Sequence, residues 1–232
     1  MQSPPRRVHT DPHYEAELVT LQGRVLALGG VIERQIRQAK RAYEERDDEL
    51  ARATIADDGI ADRMDEEIHA LCLRLLALHQ PAASDLRFIT TTQSITADLE
   101  RIGDIVCNIC ERVLELNIEG RLDSPVDLPR MADIAEGMVR RSLDAYDRED
   151  VDLALAVRRD DEEIDSANEE FFRNLLEAMV QRPEYIARCL RAMFIAKSVE
   201  RIADHATNIA SMVIFMVTGK SIRHHRKHVE HL

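Results

Sequence analysis

Two short acidic motifs, 100 residues apart, carry the side chains in this sequence best suited to chemistry. The first reads Asp98-Leu99-Glu100-Arg101-Ile102-Gly103-Asp104 and the second Ser198-Val199-Glu200-Arg201-Ile202-Ala203-Asp204. Each continues to an Asn-Ile pair, Asn108-Ile109 and Asn208-Ile209. On a helix, a Glu and an Asp four residues apart share one face, and Asn108 or Asn208 extends that row. Like charges at this spacing repel by about 0.2–0.5 kcal/mol, so two copies call for a compensating partner. Each motif has a second acidic row upstream, Asp58/Asp62/Glu66 and Asp161/Asp165/Glu169. Adjacent rows of carboxylate oxygens suit hard or borderline divalent or trivalent cations. A solvated outer face, eased locally by Arg101 and Arg201, is the other reading, and the residues alone leave both open.

The elements that position these rows are helices. Hydrophobic content is 45%, aromatics are 4%, and 232 residues include only eight Gly and seven Pro, a helix-forming composition. The fold class expected is all-α, with six long helices. The first runs from Asp11-Pro12 to about Arg46 and the second from about Glu49 to Leu78, ended by Gln80-Pro81. The third runs from about Ser84 to Ile118, stopped by Gly120, and the fourth from Leu128 to Tyr146. The fifth spans about Asp150 to Val180, and the sixth follows the break at Pro183 and ends at Thr218-Gly219. Domain organisation follows: a mobile arm at 1–10, a three-helix bundle at 11–118 and a linker at 119–127. A second three-helix bundle at 128–219 and a basic, His-rich tail at 220–232 complete the chain.

The two bundles are pseudo-repeats. Tyr43 and Tyr146, Leu50 and Leu153, Asp62 and Asp165, and Glu66 and Glu169 are all separated by 103 residues, whereas the motifs are separated by 100. The difference falls in the turn after the second helix, where a bundle tolerates a change in length. Ile95, Leu99, Ile102, Val106, Ile109, Val113 and Leu116 form an apolar seam, matched by Ile195, Val199, Ile202, Ala206, Ile209, Val213 and Met216. At about 100° per residue, Glu100/Asp104 and Glu200/Asp204 fall roughly opposite that seam.

Several function classes are disfavoured. A net charge of −12 argues against nucleic-acid binding. Cys107 and Cys110 have Cys-x-x-Cys spacing but sit mid-helix without a second pair, and read as reduced structural thiols alongside Cys72 and Cys189. Residues 1–12 lack an apolar segment, and Ile209–Val217 is too short to span a bilayer, so a cytoplasmic location is expected. A di-iron carboxylate oxidase or metal-storage bundle would want two Glu-x-x-His pairs; Glu66-Glu67-Ile68-His69 supplies one, and Phe172 stands where the second His would be. No phosphate loop or nucleophile elbow is present, and the reading is non-enzymatic.

Taken together, both motifs, their Asn-Ile continuations, His205, and Gln80-Pro81 with Asp85-Leu86-Arg87 make the chain resemble the PhoU family over nearly its whole length. The resemblance implies two related three-helix bundles and surface multinuclear metal sites of iron or zinc, with manganese or magnesium as alternatives. Carried over by position, Glu100, Asp104, Glu200 and Asp204 match the family's motif. Asp62, Glu66, Asp165 and Glu169 match its neighbouring acids, and Asn108 and Asn208 lie in the first or second coordination shell. The implied role is negative regulation of the phosphate regulon and modulation of phosphate uptake. The implied partners are the phosphate ABC transporter's ATPase subunit and a membrane sensor histidine kinase, with a homodimer as the assembly and membrane association through partners only. The tail from Arg223 to Leu232 departs from the family and is open to four readings: a solvated tail, a further metal site, an expression remnant or a phospholipid contact.

Overall fold

A computed structural model describes residues 12–120 and 128–221. Its described residues form α1 (Pro12–Glu45), α2 (Asp48–Ala56), α3 (Asp58–His79), α4 (Ala83–Glu119), α5 (Leu128–Arg148), α6 (Val151–Gln181) and α7 (Ile186–Thr218). A single 3₁₀ turn, Pro183–Tyr185, joins α6 to α7. The fold is all-α, as the composition predicts. The Asp11 cap, most of the 119–127 linker and the His-rich tail lie outside the described residues.

Repetition extends to backbone detail. Arg46 and Glu149, 103 residues apart, both take left-handed φ values of 56° and 52°. In each case the next residue's N–H closes the preceding helix, Asp47 N to Ala42 O at 3.0 Å and Asp150 N to Ala145 O at 2.9 Å. The same aspartates then cap the following helices, accepting from Leu50 N at 2.9 Å and Leu153 N at 3.0 Å. One expectation needs correction: the second predicted helix is not continuous but breaks at Asp57 into α2 and α3. Its counterpart α6 runs unbroken. Gly59 stands where α6 has Glu162, and the Asp-Asp-Gly run has poor helix propensity.

The two units share one continuous core rather than standing apart. Both apolar seams are buried, and α4 and α7 pack antiparallel. Arg87 Nε donates to Met216 O (3.3 Å) near one end, His205 Nδ1 meets Asp98 Oδ1 (2.7 Å) midway, and Arg191 Nε reaches Glu115 Oε2 (3.2 Å) near the other. Tyr146 of α5 is fully buried, stacks on Phe88 and shares a 2.7 Å hydrogen bond with Thr92 of α4. Gly29 lets α1 approach α5, because a Cβ there would overlap Leu143 Cδ1. Among the described residues no helix is long and apolar enough to cross a membrane.

Candidate cation grooves

Each half carries a groove between its last two helices. In the first, α3 brings Asp58, Asp62 and Asp65 toward Glu100 and Asp104 of α4. Glu100 is half-buried and Asp104 exposed, so the pair lies on the flank of α4 that meets α3 rather than opposite the seam. The carboxyl of Glu100 is pushed up by burial and then by Asp104, Asp65 and Asp62, against a small opposing pull from Arg101. Asp58 is raised by burial and by Asp62 and Asp104, and Asp65 by burial and by Asp62 and Glu66. These carboxyls share one field and repel one another.

The groove's inner edge comes from α1. Gln35 is fully buried, and neither its amide oxygen nor its nitrogen has a partner. Its Oε1 and the Oδ1 of Asp58 lie 3.7 and 3.5 Å from where a Cβ on Gly103 would stand, and Ile32 Cδ1 lies 3.3 Å from it. Gly103 therefore leaves a small space that an amide oxygen and a carboxylate oxygen both border. Exposed Asn108 turns its Nδ2 back onto the carbonyl of Asp104 at 2.8 Å.

The second groove repeats the geometry with different chemistry. Asp161, the match of Asp58, is buried and accepts from Thr207 Oγ1 at 3.4 Å. In the first half Cys107 stands at the place of Thr207 and partly offsets the upward push on Asp58. Asn168 replaces Asp65 and donates to Glu200 Oε2 at 2.6 Å. Lys197 stands where the first half has Ala97 and holds Glu200 Oε1 at 2.6 Å. Met138 replaces Gln35. Asp165, Glu169 and Asn208 are exposed and Asp204 is half-buried.

Of the residues expected from sequence, Glu100, Asp104 and Asp62 come together, as do Glu200 and α6. Glu66 and Glu169 sit at the outer rim, exposed. Sequence reasoning missed Asp65 and Gln35 as groove-facing groups; the signal for Asp65 is the three-residue step from Asp62, one place short of Glu66. The Cys-x-x-Cys pair is not a thiolate site as it stands. Burial pushes Cys110 up to about 12, and Cys107 is raised further by burial and Asp58. Among the described residues no three His, Cys, Asp or Glu side chains already converge as a metal-ion site. The donor set of the first groove nonetheless fits a cation chemically: oxygen ligands, mutual repulsion a positive ion would relieve, and an orphaned amide at the edge. Side-chain rotation would have to complete the coordination.

Two homologous helical units joined back to back through antiparallel helices, each presenting acidic side chains between its last two helices, define a duplicated all-α bundle protein. Comparison with known proteins specifies the class. The PhoU domain model matches residues 25–113 and again 128–213. The phosphate-specific transport system accessory protein PhoU homolog of Pseudomonas putida is 39% identical over 219 residues, 93% of this chain and 85% of that protein. The Escherichia coli accessory protein PhoU is 33% identical over 216 residues, 93% of this chain and 90% of that protein. The crystal structure of PhoU from Pseudomonas aeruginosa superposes with a TM-score of 0.85 at 37% identity, covering 89% of this chain and all of that one (100%). This chain belongs to the PhoU family.

Proposed function

We propose that this chain is the regulatory accessory protein of a phosphate-specific transport system and that it works by contact rather than catalysis. The observation supporting this reading is kinship along both halves: relatives bearing that name align over 93% of the chain. In this reading the protein acts in the cytoplasm and adapts the transporter's ATPase subunit to a membrane sensor histidine kinase. When phosphate is ample it holds the kinase in the state that does not phosphorylate its response regulator, and it restrains uptake. A strain deleted for the gene is expected to express a phosphate-responsive reporter even in high phosphate. Normal repression in that strain would overturn the reading.

The same proposal assigns a cation to the first groove. Glu100, Asp104, Asp58, Asp62 and Asp65 would supply carboxylates and Gln35 an amide oxygen, and the ion would supply the positive charge that lets these groups face one another. An all-oxygen set favours hard ions such as magnesium or manganese, or iron, over zinc. Elemental analysis of protein purified without added metal, followed by manganese titration, tests this. Glu100→Ala/Asp104→Ala is expected to abolish the tight phase, and an unchanged isotherm would refute the assignment.

A further inference from the structure

Paired acidic motifs lead one to expect a cation in each half, yet the residues around Glu200 meet its charge from within the chain. Lys197 Nζ lies 2.6 Å from Glu200 Oε1, and Asn168 Nδ2 donates to Glu200 Oε2 at 2.6 Å. Both oxygens therefore already accept short, charge-assisted hydrogen bonds, one from the preceding turn of α7 and one from α6. A metal ion would take either oxygen only by displacing a donor. Glu200 is 16% exposed against 56% for Lys197, so the carboxylate is held inward while its ammonium partner faces water.

The neighbouring positions change in the same sense. Asp65, an acceptor, becomes Asn168, which presents an N–H to the carboxylate, and Ala97 becomes Lys197. Gln35, the unpartnered buried amide at the edge of the first groove, becomes Met138. Phe172 stands at the place of His69, but the acid that His69 eases, Asp65, is gone as well. Arg101 and Arg201 hold the same place in both motifs and so account for no difference. Among these positions the second groove has one carboxylate fewer, one ammonium more and one amide oxygen fewer than the first. A hard cation needs several oxygen ligands and a negative field, and all three changes work against it.

We infer that the second groove is closed to metal ions by the chain's own cation, Lys197, with Asn168 holding the other oxygen of Glu200. Of the two grooves only the first is then left to answer a cation in solution. The closure is a matter of charge rather than of folding. An ion pair with an exposed lysine contributes little to stability, so removing it opens the groove and leaves the bundle intact. The contrast rests on the cation assigned to the first groove, and the experiment keeps the two apart.

Manganese is the probe, followed by electron paramagnetic resonance of the free aquo ion. The full chain with its tail is used in every variant, so binding to the tail is common to all. In Glu100→Ala/Asp104→Ala, further change of Glu200→Ala should remove no binding. Adding Lys197→Ala/Asn168→Asp instead, which copies Ala97 and Asp65, should create one new site, at least about tenfold tighter than the residual binding. Glu200→Ala should abolish that site, and Lys197→Arg alone, which keeps the charge, should create none. Far-UV circular dichroism checks that each variant folds. The inference is overturned if Glu100→Ala/Asp104→Ala with Lys197 intact binds manganese at a site that Glu200→Ala removes, or if Lys197→Ala/Asn168→Asp creates no site. No tight binding to the unaltered chain, together with a new site in the opened variant, would refute the first-groove assignment and uphold the closure.

Discussion

Asp65 and Asn168 occupy the same place in the two halves, as do Ala97 and Lys197, Gln35 and Met138, and Thr90 and Leu190. In the first groove these choices gather acids and an unpartnered amide, and Arg101 and His69 offset the repulsion only in part. In the second, an ammonium and an amide N–H grip Glu200. A shared backbone therefore carries two surfaces of different chemistry, one crowded with like charge and one paired internally. Lys197 acts in the second groove as an internal cation for Glu200, a partner that Ala97 cannot supply to Glu100.

Experiments that exchange residues between the halves break or sharpen this contrast. The largest effect is expected at the seam. Asp98 is buried against His205, while the matching pair across the pseudo-symmetric contact is Ser198 and Ile105. His205→Ala leaves a buried carboxylate without its partner and should cost about 3 kcal/mol in denaturant unfolding. Asp98→Ser/His205→Ile, which copies the other half, should recover most of that loss. If the single change costs nothing, the pair does not hold the halves together.

Gln35→Met carries the second half's residue into the first. Removing a buried amide with no partner should stabilise the metal-free protein by about 1–3 kcal/mol. Cation affinity should fall in the same variant, so melting and manganese titration move in opposite senses. Lys197→Ala frees Glu200, and calorimetric stoichiometry for manganese should rise because the second groove becomes cation-competent; an unchanged stoichiometry would show that Lys197 is not what closes it.

The smallest effect concerns pH. Glu100, Asp58 and Asp65 have carboxyls raised by burial and mutual charge, so the folded state holds protons that the unfolded chain releases. Their contribution to stability therefore falls as pH rises from the ordinary carboxylate range through the raised folded values. Asp65→Asn, which copies Asn168, should flatten that slope and add about 0.2–0.5 kcal/mol per relieved pair at neutral pH. Melting curves of both proteins without metal, from acid to neutral, measure it.

Much of this was legible beforehand. Periodicity and Pro/Gly punctuation located every long helix, and the constant 103-residue spacing announced a repeat that the paired Arg46 and Glu149 turns confirm in the backbone. The break at Asp57 was less legible, because three weak helix formers inside a strong amphipathic pattern do not reveal which influence wins. Asp65, half-buried beside exposed Asp62 and Glu66, was harder to single out, because rotational phase between packed helices is not set by spacing along one helix. Gln35 could not have been placed: its importance lies in having no partner, a property of the folded interior. Lys197 was visible in the sequence, but its pairing with Glu200 depends on how the two side chains turn on the packed helix.

The antiparallel pairing of α4 with α7 makes the molecule a dimer written on one chain. Two identical subunits about such an axis must change together, since one substitution appears on both sides. Fusion lifts that constraint. Once the copies share a single polypeptide, Asp65 can stay acidic while Asn168 does not, and Thr90 can stay polar while Leu190 turns apolar. The covalent link thereby turns a symmetric object into one with a direction, its two faces free to differ in charge and polarity.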